Sequence, residues 1–262
     1  PELNLFINLD IRPDAAWLQE NPSEIMRNEK GQFAVFHGCR TVAFSDTPTF
    51  DAKAGKYPAF SYFSVRFRHW GEAVLKAFLE ELAQIPEGKA IAGLYLNGGA
   101  DGQWFDSFDQ RAEPGLSADY ADCAQDYYRD YLKRKYGTPE KLGAAWGRSE
   151  PVAFESVKIP GRSEFWTTNA CYRAHGASPE SDCREATAAA LAELQLGFAG
   201  VVKAVSGRRL LAGGYSSNGG LSGYPKIALS NDRFLLSSED FDFAAVVPSY
   251  VREHVDPVMA PI

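Results

Sequence analysis

The sequence predicts an α/β protein organised around a parallel sheet, and three observations carry that reading. Four short apolar runs, opening near Leu3, Ile91, Arg209 and Phe241, have the length and the turn-forming boundaries of buried strands. Segments with helical spacing of apolar residues separate them, and each run releases polar or aromatic residues at its C-terminal end. Repetition of strand, helix and strand in this way is the pattern of a parallel βα barrel or a doubly wound sheet, where ligands sit at the carboxyl ends of the strands.

Composition sets the frame. The chain has 262 residues, 45% of them hydrophobic and 23% charged, which suffices for one large buried core, so a single domain over residues 1–262 is the simplest organisation. A net charge of −7 without a concentrated Lys/Arg run leaves no positive face for nucleic acid or an anionic membrane, and a neutral or cationic ligand suits the chain better. Five Trp and twelve Tyr supply rings that stack on sugars as readily as they fill cores. Cys39, Cys123, Cys171 and Cys183 show no CxxC spacing, and His37, His69, His175 and His254 form no HExxH or i, i+4 pair, so no metal site is expected. Neither GxGxxG nor GxxxxGK followed by Ser or Thr occurs after a strand, so no nucleotide cofactor is expected either. Compartment and oligomeric state are not encoded in these features.

Taken in order, Leu3 to Leu9 is a strand that delivers Asp10, Arg12 and Trp17 beyond its end, with Pro13 and Asp14 marking the turn. Trp17 is either a sugar platform or a packing residue on a short helix, WLQENPSEIM. Residues 28 to 60 have no sustained period and read as an excursion. A helix from about Trp70 to Gln84 follows, with Val74, Leu75, Phe78, Leu79 and Leu82 expected on its buried face and Pro86 and Gly88 ending it.

The stretch AIAGLYLNGGADGQWFD, Ala90 to Asp106, is the centre of the functional reading. Its apolar run from Ile91 to Leu96 is a buried strand, expected to break at Asn97. The loop Gly98 to Gly102 carries little side chain, so backbone can approach a ligand while Asn97, Asp101, Gln103 and Trp104 are presented around it. Polar groups and an indole in that position suggest a sugar site; the alternative is a loop that needs glycine only to turn.

From about 105 to 184 the chain leaves the strand–helix alternation as a helical insertion, expected over the C-terminal face of the sheet. It contains a helix over Asp119 to Tyr136, stopped by Gly137 after the basic turn Lys133, Arg134 and Lys135, and a second helix with Thr138 as N-cap and Pro139 at its first position. An Ala- and Leu-rich helix from Arg184 to Val205 leads to the strand Arg209 to Tyr215 and the loop SSNGGLSGYP, which holds Asn218. Lys226 to Ser237 is a further helix, and the run Phe241 to Val247 ends at Pro248, Ser249, Tyr250 and Arg252.

The segment YYRDYLKRKYGTPEKLGAAWG, Tyr127 to Gly147, resembles the "WLKxKYGTxxxLNxAWG" segment of family-42 β-galactosidases. NLDIRPDAAWLQENPSE, the LYLNGG strand and VVPSYVR, similar to an "sPxxYxxR" stretch, follow in the same order as in that family. The resemblance implies a clan-A glycoside hydrolase with a (β/α)8 TIM barrel, of which this chain supplies about strands 3 to 6. It also implies a general acid/base after strand 4 and a nucleophilic Glu after strand 7, beyond Ile262.

Retaining glycosidases place two carboxyl groups about 5–5.5 Å apart. The Asn-Glu dipeptide expected after strand 4 is here Asn97-Gly98, and Gln103 stands where some relatives carry a Glu before Trp. An amide cannot deliver a proton, which leaves Asp101 as the nearest candidate acid. The zinc-binding cysteines of family 42 are not matched, with Cys123 alone in its neighbourhood. Two functions follow from these residues. One is a β-glycosidase, with Asp101 or a displaced carboxylate as acid and Asn97, Trp104, Asp10, Trp17, Tyr215, Asn218, Tyr250 and Arg252 holding the sugar. The other is a carbohydrate-binding barrel that has lost its acid, with Gln103 in the acid position.

Overall fold

The computed structural model describes residues 4–37, 40–48, 51, 53–99, 102, 104, 116, 118–168, 177–215 and 231–245. The chain divides into two compact units: residues 1–14, 65–106 and 191–262 form the first, and residues 15–64 and 107–190 the second. The excursion after the first strand and most of the insertion after Asp106 therefore share one unit.

The first unit is an α/β layer. Strands β1 (Leu5–Ile11), β5 (Ile91–Gly98), β6 (Leu211–Tyr215) and β7 (Phe243–Ala245) pair in parallel in the order β1-β5-β6-β7, the order the alternation predicts. Parallel strands need crossover connections, and helix α2 (Val65–Leu82) with the later part of α6 (Pro179–Ser206) supplies them. Ile91, Leu94 and Leu96 of β5 are buried, as are Phe67, Leu75 and Leu79 of α2 and Leu194, Phe198 and Val202 of α6. Phe67 and Phe198 meet edge to face at 6.3 Å, and Gly71 is the small residue that lets Phe198 and Ile11 approach α2. The buried stripe of α2 is Phe67, Gly71, Leu75 and Leu79; Val74 and Phe78, expected on it, are 47% and 36% exposed.

At the N-terminal ends of the strands, Lys203 is buried, donates to Leu210 O at 2.9 Å and pairs with Asp242. The Asp242 carboxylate also accepts from Ala212 N at 2.7 Å. Burial pushes the Asp242 carboxyl up, but Lys203 and the Ala212 amide outweigh it and hold it below the usual range. Helix α6 passes, by length and composition, for a membrane span, yet 61% of its most apolar window is buried, as in a core helix.

The second unit begins with α1 (Ala15–Glu20), a shorter helix than the sequence predicts, because Asn21 and Pro22 end it and a 3-10 turn, Pro22–Glu24, follows. The expected excursion contains a three-stranded antiparallel sheet of β2 (Phe33–His37), β3 (Arg40–Ser45) and β4 (Lys56–Pro58), in the order β3-β2-β4. Helices α3 (Asp122–Tyr136), α4 (Pro139–Ala145) and α5 (Arg162–Thr168) complete the unit with the first part of α6. Gly137 ends α3 at φ 78°, and the Thr138 side chain accepts from Lys141 N to cap α4, both as predicted. Helix α6 starts at Pro179, earlier than expected, under a reciprocal cap in which Ser178 Oγ accepts from Ser181 N and Ser181 Oγ accepts from Ser178 N. Its core gathers Phe63, Tyr128, Leu132, Leu142, Phe154, Phe165 and Ala186.

Candidate functional site

Alternation along each strand sorts the first unit's sheet into two faces. One packs on α2 and α6. The other carries Phe6, Asn8 and Asp10 from β1, Tyr95 and Asn97 from β5, Tyr215 from β6 and Phe243 from β7, with Asn8 opposite Tyr95 and Asp10 opposite Asn97. An aromatic column climbs this face. Phe6 meets Phe243 at 5.7 Å, Phe243 meets Tyr95 at 5.6 Å, and Tyr95 meets Tyr215 at 5.1 Å. Burial, then the charge and hydrogen bond of Tyr215, push the Tyr95 phenol well above its usual range, so it stays a neutral hydroxyl.

Asn97, expected to break the strand, lies inside β5 and is 6% exposed. Its Nδ2 donates to Asn8 Oδ1, while its own Oδ1 is buried with no hydrogen-bond partner among the described residues. An acceptor left in that condition costs about 1–3 kcal/mol, which a ligand hydroxyl would recover. Asp10, at the same end of the neighbouring strand, holds Arg12 through both oxygens, with Arg12 Nε to Oδ1 at 2.7 Å and Nη2 to Oδ2. Gly102, in the glycine loop, lies against this pair, so a Cβ there would be 3.6 Å from Asp10 Oδ2 and 3.7 Å from Arg12 Nη2.

The structure corrects the expectation for Trp104. The residue is fully buried, its indole Nε1 donates to Leu96 O at 2.9 Å, and its rings pack on Phe198 at 6.1 Å. A Cβ on Gly98 would lie 2.7 and 2.8 Å from Trp104 Cζ2 and Cζ3. The indole therefore plugs the space beneath the loop, with its N–H already used by the strand, and presents no face to a sugar. Tyr215 keeps its expected place at the end of β6, and its carbonyl accepts from Gln195 Nε2 of α6 at 2.7 Å. Gln195 is itself buried and accepts from Asn231 Nδ2 at 2.8 Å.

The fold thus brings Asp10, Asn97 and Tyr215 to one end and one face of the sheet. Trp17 belongs to the second unit, half-buried on α1, with its carbonyl accepting from Asn21. Asp101, Gln103, Asn218, Tyr250 and Arg252 lie outside the described residues. Asn8, Tyr95 and Gln195 were not singled out from the sequence. The signal for Gln195 was present, a lone amide in an Ala- and Leu-rich helix; for Asn8 and Tyr95 the signal was their period of two with Asp10 and Asn97. Among the described residues no cluster of three His, Cys, Asp or Glu side chains could hold a metal ion.

No protein-family model matches the chain, and no curated protein matches it. Among solved structures, it is similar to the catalytic domain of a beta-amylase from Paenibacillus polymyxa, at 18% identity and TM-score 0.56, over 88% of this chain and 54% of that one. It is also similar to a beta-galactosidase from the Antarctic haloarchaeon Halorubrum lacusprofundi, at 15% identity and TM-score 0.53, over 84% of this chain and 28% of that one. These neighbours are TIM-barrel glycosidases, and at such identities the likeness concerns the fold alone. The chain spans 28% and 54% of their lengths.

Proposed function

We propose that the chain is the central part, strands 3 to 6, of a (β/α)8 barrel of the glycoside-hydrolase type, and that the C-terminal ends of its strands hold the sugar of a β-glycoside, with β-galactosides the first to test. The observation that carries this reading is the buried Oδ1 of Asn97, without a partner among the described residues, between Asp10 and Tyr215 at the C-terminal end of the strands. Parallel pairing in the order β1-β5-β6-β7 and the likeness to barrel glycosidases support it. In this reading Asp101 protonates the leaving oxygen, a Glu outside the chain attacks the anomeric carbon, and Asn218, Tyr250 and Arg252 add sugar contacts.

One observation favours a second reading, a carbohydrate-binding barrel without turnover. The Trp104 ring takes the volume in which a side chain at position 98 would begin, so the acid of the Asn-Glu dipeptide has no room there. Hydrolysis assays on the full-length protein separate the two. Asp101→Asn should abolish turnover of methyl β-galactoside while largely sparing an activated aryl β-galactoside, which hardly needs protonation. Binding of methyl β-galactoside without hydrolysis of either substrate, together with hydrolysis gained in Gln103→Glu, would establish the binding protein. Failure to bind any β-glycoside would reject the carbohydrate reading.

A further inference from the structure

We propose that Asp10 and Arg12 set the charge of the sugar this site accepts: Asp10 occupies the Arg12 guanidinium, so that the site takes an uncharged sugar and turns away uronates and sulfated sugars. The inference rests on the carbohydrate reading above and deepens it.

Among the described residues of this strand end, the Arg12 guanidinium is the group that would recognise an acid. Arginine presents a planar fork that matches a carboxylate or sulfate, and here both arms of one edge are already spent on Asp10. A carboxylate two residues away on the same chain is present at a high effective concentration, so an acidic ligand must displace it. Both partners are accessible, with side chains 38% and 40% exposed, so a ligand can reach the pair.

The remaining groups point the same way. Asn97 Oδ1 takes a donor, which a sugar hydroxyl supplies and a carboxylate group set against it does not. The Asp10 oxygens have further lone pairs for hydroxyls, and the Asn8 and Asn97 amides carry no charge of their own.

The test pairs ligands that differ only at C6, methyl β-galactopyranoside with methyl β-galactopyranosiduronate and the corresponding glucose pair, titrated calorimetrically into the full-length protein. The wild type should bind a neutral member and not its uronate. Asp10→Asn, nearly isosteric and exposed, should gain uronate affinity of about ten-fold or more, because one charge-assisted bidentate contact becomes available to the ligand. Adding Arg12→Gln to Asp10→Asn should remove that gain, which assigns it to the guanidinium rather than to a loosened loop. A wild type that binds the uronate as well as the neutral sugar overturns the inference and leaves the carbohydrate reading standing. So does a folded Asp10→Asn variant that still binds the neutral sugar and gains nothing for the uronate. Binding of none of the four sugars by the wild type would overturn both.

Discussion

Trp146 Nε1 donates to Asp182 Oδ2 at 2.8 Å, joining the end of α4 to the first turn of α6. The same buried carboxylate accepts from the Tyr136 hydroxyl at 2.8 Å and from Lys135 Nζ at 2.8 Å. Lys135, Tyr136 and Trp146 belong to the segment that carries the resemblance to family 42. That segment therefore has a structural role, since its donors satisfy one carboxylate that would otherwise be buried alone. Asp182→Ala should cost roughly 2–4 kcal/mol of unfolding free energy, because it leaves the Trp146 and Tyr136 donors without this acceptor while Lys135 keeps Glu185. Trp146→Phe, which keeps a ring and loses one donor, should cost about 1–2 kcal/mol. Urea denaturation measures both, and a loss below that of Trp146→Phe in the Asp182 variant would contradict the assignment.

Asp119 gives the second unit a pH dependence of opposite sign to that of a paired surface carboxylate. Its side chain is buried, with Oδ1 accepting from Ala121 N at 2.9 Å and Arg27 N at 3.2 Å. Burial raises its pKa more than the hydrogen bonds and the Arg27 charge lower it. A carboxyl raised in the folded state stabilises fully below its unfolded pKa of about 3.9, and that stabilisation is lost as pH rises through the folded value. Asp119→Asn keeps the acceptor oxygen and removes the charge. Its melting temperature relative to wild type should rise from pH 4 upward and level off above the folded pKa; a difference independent of pH would show that the buried carboxyl is not coupled to folding.

Gly98 and Trp104 should behave as one packing unit. Gly98→Ala pushes a methyl into the indole and should cost about 1–3 kcal/mol. Trp104→Ala opens a cavity and should cost about 3–5 kcal/mol. In the double variant the methyl enters that cavity, so the combined loss should be smaller than the sum. Strict additivity in a double-mutant cycle would mean the two sites are independent.

Cys183 and Cys123 should be unreactive in the folded protein. Burial pushes both thiols up to about 12, with the charges of neighbouring carboxylates adding to it. Iodoacetamide at pH 8 should leave both unmodified until urea unfolds the chain, as peptide mass mapping would show. Rapid labelling of Cys183 without denaturant would mean that α6 opens locally near its start.

Much of the first unit was legible because parallel strands buried on one face and covered by helices read as short apolar runs. Leu94 and Leu96 of β5 and Ala212 of β6 are such residues, and consecutive βα units leave little choice of strand order. The small sheet of the second unit was hidden. Phe33 to Phe36 are all buried, so β2 shows no alternation, and its partners β3 and β4 pair with it through contacts that a local pattern does not record. On α2 the sequence placed Leu75 and Leu79 correctly but added Val74 and Phe78 for a related reason: these follow a helical period as well as Phe67, Gly71 and Leu75 do, and only the position of Phe198 and Ile11 decides which stripe is covered.

By itself, then, the sequence determined the elements whose causes are local. Gly137 and Thr138 mark a helix end and a helix start because φ beyond zero and a capping hydroxyl are properties of those residues wherever they stand. Tertiary structure alone decided what Trp104 and Asn97 do. Both follow the same apolar run, yet one is sealed under Gly98 with its N–H on Leu96, and the other is held by Asn8 with an oxygen left over. The difference comes from which neighbours β1 and α6 bring to each side of β5, a matter of steric fit and hydrogen-bond satisfaction across the sheet that residue type does not carry.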